Sequence, residues 1–231
     1  MPVSRCLTLC SVAVFIFCGS QTAFAKEMII VALGDSTTAG TPGFMSPVEA
    51  PPEGSGNPES QYTYWIIRRH PEWRVLNRGV NGERSDEIAQ RFARDVAANR
   101  PSVVIILAGV NDIYQGGSAE QVIGELKGLY AKATEQGIMV VACTILPYRG
   151  IDKSRRAAMT QVNSWISDYS AANKLLFCDL AGVVRDPAAP WQLAGSPDGL
   201  HPDVAGYRAM GEALATVLET WQHFLLPSSG V

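Results

Sequence analysis

Met28-Ile29-Ile30-Val31-Ala32-Leu33-Gly34-Asp35-Ser36-Thr37 is the stretch on which the fold turns. Its first six residues are apolar, half of them are β-branched, and glycine closes the run, so it reads as a strand buried on both faces. A polar turn carrying a serine follows at once. In open α/β sheets, reactive and ligand-binding groups gather just beyond the C-terminal ends of the strands. Ser36 stands at that place.

The segment Thr38 to Gln61 is crowded with proline, glycine and serine and has no hydrophobic period, so it reads as a long loop. A loop of that length after the serine is either a rim or lid over the site or a surface insertion. Further on, Tyr62–Arg69 reads as a helix, Trp73–Asn77 as a strand, and Ser85–Asn99 as a helix with Ile88, Phe92 and Val96 on one face. Ser102–Ala108 is a third apolar run. Ser118 opens a helix, with Gln121 completing a capping box and Gly137 closing it. Ile138–Ile145 is a fourth strand, Arg155–Ala172 a helix, Lys174–Leu180 a fifth strand, and Asp203 to about Phe224 a final helix behind Pro202. Five strands alternating with helices predict one doubly wound α/β domain, a five-stranded parallel sheet with helices on both faces.

A chain of 231 residues suits one domain, here expected over residues 26–231. Residues 1–25 are expected to be a signal peptide. Arg5 gives a basic start, Leu7–Phe17 an apolar core short of a membrane span, and Ala23-Phe24-Ala25 a small-x-small cleavage pattern. A lipoprotein anchored at Cys18 fits less well, because Phe17 occupies a position that such signals give to a small residue. The expected protein is exported, periplasmic or secreted, with no stable membrane insertion after cleavage. Losing the leader removes Arg5 and no acidic residue, moving the formal charge from −3 to −4. That balance argues against nucleic acid as a partner. Cys143 and Cys178, the two of five cysteines beyond the leader, sit in apolar runs and are expected as buried free thiols rather than a disulfide.

A serine nucleophile needs a base for its proton and a third group to orient that base. Of three histidines, His70 precedes a proline at the end of an early helix and His223 lies late in the terminal helix. His201 lies in a polar loop after the fifth strand, on the strand-end side that carries Ser36. Asp198, three residues before it, is close enough to bond the imidazole, although Asp198-Gly199 also suits a plain turn. An oxyanion would need donors on the same rim. The Ser36 amide, the amide of Gly79 and the side chain of Asn111 all follow strand ends. Individually, Gly79 also suits a strand end, and Asn111-Asp112 a capped turn.

Gly34-Asp35-Ser36, Asn77-Arg78-Gly79-Val80-Asn81-Gly82, Gly109-Val110-Asn111-Asp112 and Asp198-Gly199-Leu200-His201-Pro202 together resemble, in order, blocks one, two, three and five of the GDSL or SGNH hydrolases. The resemblance implies a flavodoxin-like strand order. It also implies Ser36 as nucleophile, His201 as general base and then acid, and Asp198 as the orienting acid. The Ser36 and Gly79 amides and Asn111 would form the oxyanion hole, with Asp35 and Asp112 as structural neighbours. The Thr38–Gln61 insertion departs from the compact family pattern. No Gly-x-Ser-x-Gly elbow surrounds Ser36, which argues against an α/β-hydrolase.

The expected activity is therefore a serine esterase acting on small acyl or acetyl-carbohydrate esters. A lysophospholipase or thioesterase on longer chains, acyl transfer to a sugar, and a silent glycan- or lipid-binding module are the alternatives. Phe44, Tyr62, Tyr64, Trp65, Tyr148 and Trp191 would line an acyl pocket or a sugar platform, or else pack in the core. No cofactor is expected, and no metal, since neither Cys-x-x-Cys nor His-Glu-x-x-His occurs.

Overall fold

The computed structural model describes residues 27–225, and the expected leader at 1–25 lies outside them. Strand β1 is Ile29–Gly34, and every residue from Ile30 to Gly34 is buried. A single helical turn, α1 (Ser36–Ala39), follows it directly, capped by the Asp35 side chain accepting from the Thr37 amide. The expected long loop is more ordered than its composition suggested. It contains a short antiparallel pair, β2 (Phe44–Met45) and β3 (Ser55–Gly56), and a 3-10 turn at Pro58–Ser60.

Helix α2 (Tyr62–Arg69) leads to β4 (Arg74–Gly79), which runs two residues beyond the expected end at Asn77. The expected helix over Ser85–Asn99 is broken into α3 (Ser85–Gln90), α4 (Phe92–Asp95) and a 3-10 turn at Ala97–Asn99. Ile88, Phe92 and Val96 still face the core. The break falls at Arg91, whose guanidinium turns inward to donate to the carbonyls of Gly34 (2.6 Å) and Arg78 (2.7 Å) and to pair with Glu83 and Asp95.

Strand β5 (Val103–Leu107) is followed by a short helix, α5 (Val110–Tyr114), and then by α6 (Ala119–Glu135), which carries the expected Ser118–Gln121 capping box. Strand β6 (Met139–Cys143) precedes α7 (Lys153–Asn173), which begins two residues before Arg155 because Asp152 caps it. Strand β7 is only Leu176–Cys178, since Leu180–Val184 forms helix α8 capped by Asp179. Helix α9 spans Val204–Leu225.

The sheet order is β4-β1-β5-β6-β7, all parallel, which is the flavodoxin-like order. Alternate residues of each strand feed opposite layers. Val31, Leu33, Val104, Ile106 and Val140 pack with residues of α3, α6 and α7; Ile30, Ala32, Val103, Ile105 and Val141 pack with residues of α2, α8 and α9. Tyr62, Ile66, Tyr207, Met210, Leu214 and Leu218 are completely buried in the second layer. Each such apolar side chain contributes about 1.5–3 kcal/mol relative to exposure. Cys143 and Cys178 face each other across β6 and β7 as free thiols; burial pushes the Cys143 thiol well up and the Cys178 thiol to about 12.

Candidate active site

Because the five strands of the main sheet all run parallel, the segments after β1, β4 and β5 and the loop before α9 meet along one rim. Asp35 ends β1 in an extended conformation and caps α1, so Ser36 becomes the first residue of that helical turn. The amide of a first helical residue has no helical carbonyl to bond and remains available as a donor. Ser36 is 6% exposed and His201 7%, so the pair is largely screened from bulk water.

The Ser36 Oγ lies 2.8 Å from His201 Nε2, and His201 Nδ1 lies 2.7 Å from Asp198 Oδ2. Asp198 Oδ1 also accepts from the backbone amides of Leu200 (2.9 Å) and His201 (2.8 Å), which folds the loop back so that the imidazole faces the serine. Partial burial pushes the Asp198 carboxyl up. The hydrogen bonds from the His201 ring and from the two amides outweigh that and hold it at about 2. The carboxylate is therefore charged in neutral solution and favours a proton on Nδ1, which leaves Nε2 as the acceptor facing the hydroxyl.

Two residues outside the four blocks brace this loop. Ser196 Oγ donates to the His201 carbonyl (2.6 Å) and accepts from the Gly199 amide (2.8 Å). Arg149 holds the Gly199 carbonyl through its own amide (2.7 Å) and the Asp198 carbonyl through its guanidinium (3.2 Å). Neither was legible beforehand, because nothing in the local pattern ties residue 149 to residue 199. The other histidines lie elsewhere. His70 bonds Glu72 and Glu219 and stacks on Trp73, and His223 is exposed on α9.

Of the three expected oxyanion donors, Gly79 has an amide that is already engaged. Its amide donates to Asn77 Oδ1 at 3.0 Å, and a Cβ on it would sit 2.0 Å from the Ala39 nitrogen. It is a close-packing residue beneath α1, and its N–H is already spent. Since β4 continues to Gly79, the loop beyond it starts later than the sequence reading placed it. Gly82 lies in that loop at φ +77°, and a Cβ there would meet nothing. The carbonyl of the next residue, Glu83, accepts from Asn111 Nδ2 at 2.8 Å, so Gly82 and Asn111 are neighbours. That bond uses one of the two N–H groups on the Asn111 nitrogen. Asp112 serves structure, accepting from the Ser85 amide (2.9 Å) and hydroxyl (2.7 Å) to tie α5 to α3.

The aromatic residues singled out earlier mostly pack. Tyr62, Phe44 and Tyr148 are buried. Trp65 donates to the Glu59 carbonyl under the Arg208 guanidinium, and Trp191 lies against Arg156. Tyr64 sits edge-on to Trp65 with Arg68 over its ring. Tyr114, three residues after Asn111, is the exposed aromatic on this rim and packs edge-on to Tyr148. Among the described residues no group of three or more potential metal ligands occurs, and no helix is long and apolar enough to cross a membrane.

The comparisons with known proteins agree with this architecture. Residues 32–209 match the model of the GDSL-like lipase/acylhydrolase family. An acetylxylan esterase of Geobacillus stearothermophilus is 24% identical over 153 residues, 61% of this chain and 69% of its own. A solved lipolytic protein of the G-D-S-L family from Desulfitobacterium hafniense superposes with a TM-score of 0.69 at 27% identity, covering 83% of this chain and 99% of its own. An acetyl-xylooligosaccharide esterase from Geobacillus shares the fold at a TM-score of 0.65 and 23% identity, over 84% of this chain and 94% of its own. With the four blocks in order and the matched model spanning most of the sheet, the chain belongs to the GDSL-like lipase/acylhydrolase family and is a carboxylic ester hydrolase.

Proposed function

We propose that this chain is an exported serine esterase that removes small acyl groups, acetyl in particular, from carbohydrate esters through an acyl-enzyme. The observation that carries the reading is the unbroken line from Ser36 Oγ through the His201 imidazole to Asp198, at 2.8 and 2.7 Å. Ser36 Oγ attacks the ester carbonyl while His201 Nε2 takes its proton, and Asp198 stabilises the imidazolium so formed. The developing oxyanion accepts from the Ser36 amide, the Asn111 side chain and the amide of Gly82, in place of Gly79. The tetrahedral species collapses, the C–O bond to the alcohol breaks, and His201 returns the proton to the departing oxygen. A water molecule then repeats the sequence on the acyl-enzyme, releasing the acid and restoring Ser36.

The choice of acetyl-carbohydrate substrates draws on the acetylxylan esterase relative. Export draws on the leader-like composition of residues 1–25 alone. Hydrolysis of p-nitrophenyl esters from acetate to palmitate, with acetylated xylo-oligosaccharides alongside, tests the reading. The acetate ester and the acetylated sugar should have the highest kcat/KM. An optimum among the long-chain esters, which need an extended apolar pocket, would favour a lysophospholipase or thioesterase.

A further inference from the structure

The insertion after Ser36 and the loop after β4 are joined by more hydrogen bonds than a surface excursion needs. Ser46 Oγ donates to the Gly79 carbonyl at 2.6 Å and is fully buried. Glu49 then meets Asn81 three times: Oε1 accepts from its backbone amide (2.9 Å) and side-chain nitrogen (2.8 Å), and Oε2 accepts from the same nitrogen (3.0 Å). Thr41 Oγ1 donates to the Asn81 side-chain oxygen. Thr41 is itself fixed, its amide on the Ser36 carbonyl (3.1 Å) and its carbonyl accepting from the Tyr207 hydroxyl (2.7 Å). On the far side, the Glu83 carboxylate pairs with buried Arg91 and the Glu83 carbonyl accepts from Asn111. Gly82 is thus the unanchored residue between two anchored neighbours. A glycine at φ +77° with open space around it has no side chain of its own to hold its peptide plane.

We infer that the Thr41–Gly56 insertion is a clamp that orients the Gly82 amide, with Glu49 as its positioning residue acting through Asn81. This rests on the proposed assignment of Gly82 as an oxyanion donor. Glu49 touches neither Ser36 nor His201. Its two oxygens fix one rim of the loop, and Arg91 fixes the other. Orientation matters here because a donor aimed at the transition state acts only when its direction is set beforehand.

The test compares wild type, Glu49→Ala and Glu49→Gln in p-nitrophenyl acetate hydrolysis, thermal melting and hydrogen exchange followed by mass spectrometry. Glu49→Ala should lower kcat about tenfold, part of the loss seen on deleting a whole oxyanion donor, with KM held within about twofold. Its melting temperature should move by no more than about 3 °C, since the contact lies at the surface. Glu49→Gln keeps one oxygen acceptor for the Asn81 amide and should recover most of kcat. Exchange should rise over residues 79–84 in Glu49→Ala and stay unchanged in β1 and α9. Unchanged kcat, a loss confined to KM, or a Gln variant as poor as the Ala variant would overturn the clamp. If wild type shows no turnover that Ser36→Ala removes, the proposed function has failed instead. Exchange over residues 79–84 then decides the clamp by itself.

Discussion

Ser36 and His201 stand 165 positions apart in the chain and 2.8 Å apart in space. Asp198 was legible as the partner of His201 because the contact is local, three residues within one turn. The pairing of Ser36 with His201 was legible only through the topology, which brings strand ends together. Asp35 presents a different case. Its Oδ1 caps α1, but its Oδ2 is buried with no partner among the described residues. Burial raises its carboxyl from 3.8 to about 7, opposed only in part by the hydrogen bonds from Thr37. Between those two values the folded protein holds a proton on Asp35 that the unfolded chain has lost, so this contribution to stability is complete below the unfolded value, falls across that window and is gone once pH has risen through about 7. Asp35→Asn cannot ionise and should not follow that slope. Between pH 5 and pH 8, wild type should lose on the order of 2 kcal/mol relative to the variant in urea unfolding. Parallel stability curves across that range would show that Asp35 is ionised throughout.

At the scale of elements, the sequence reading succeeded where a hydrophobic period is long and failed where a side chain reaches across the fold. Helices α6 and α9 lie close to their expected spans, and Val122, Leu126 and Leu129 on α6 and Leu214 on α9 recur at helical spacing and are buried. The break at Arg91 was invisible, because it depends on carbonyls of β1 and β4 that only the assembled sheet supplies. Composition identified the insertion as irregular but carried no sign of Ser46 and Glu49 reaching the loop after β4. Gly79 suited the oxyanion role as a glycine at a strand end, and the bond from its amide to Asn77 depends on a contact that composition does not show. Two substitutions separate Gly79 from Gly82. Gly79→Ala drives a methyl into the Ala39 backbone and should destabilise the fold by about 1–3 kcal/mol, as overpacking does. Gly82→Ala meets no neighbour but must hold a positive φ, which disfavours alanine by about 1–2 kcal/mol and tilts the peptide it shares with Asn81. The first should lower stability more than kcat, its effect on kcat passing only through the displacement of α1, which carries Ser36. The second should lower kcat more than stability. The reverse pattern would return the donor role to Gly79.

For the whole molecule, the parallel sheet was legible from five apolar runs alternating with helices, and its strand order from the resemblance carried by the four blocks. The order puts β1 between β4 and β5, so the segments bearing Ser36, Gly82 and Asn111 leave three adjacent strands. Helix α9 packs beneath α2, and the loop entering it delivers His201 from the side. Substrate choice was not legible at this scale, because the fold is shared by many esterases and the rim aromatics mostly serve packing. The proposed reaction begins with Ser36 attacking the substrate carbonyl. The most direct measurement is intact-mass analysis after exposure to a fluorophosphonate, on wild type, Ser36→Ala and His201→Ala, with peptide mapping of any adduct. Wild type should gain one phosphonyl group on Ser36, Ser36→Ala none, and His201→Ala should label slower by about three orders of magnitude or more. An adduct on another residue, or equal labelling of wild type and Ser36→Ala, would contradict the account.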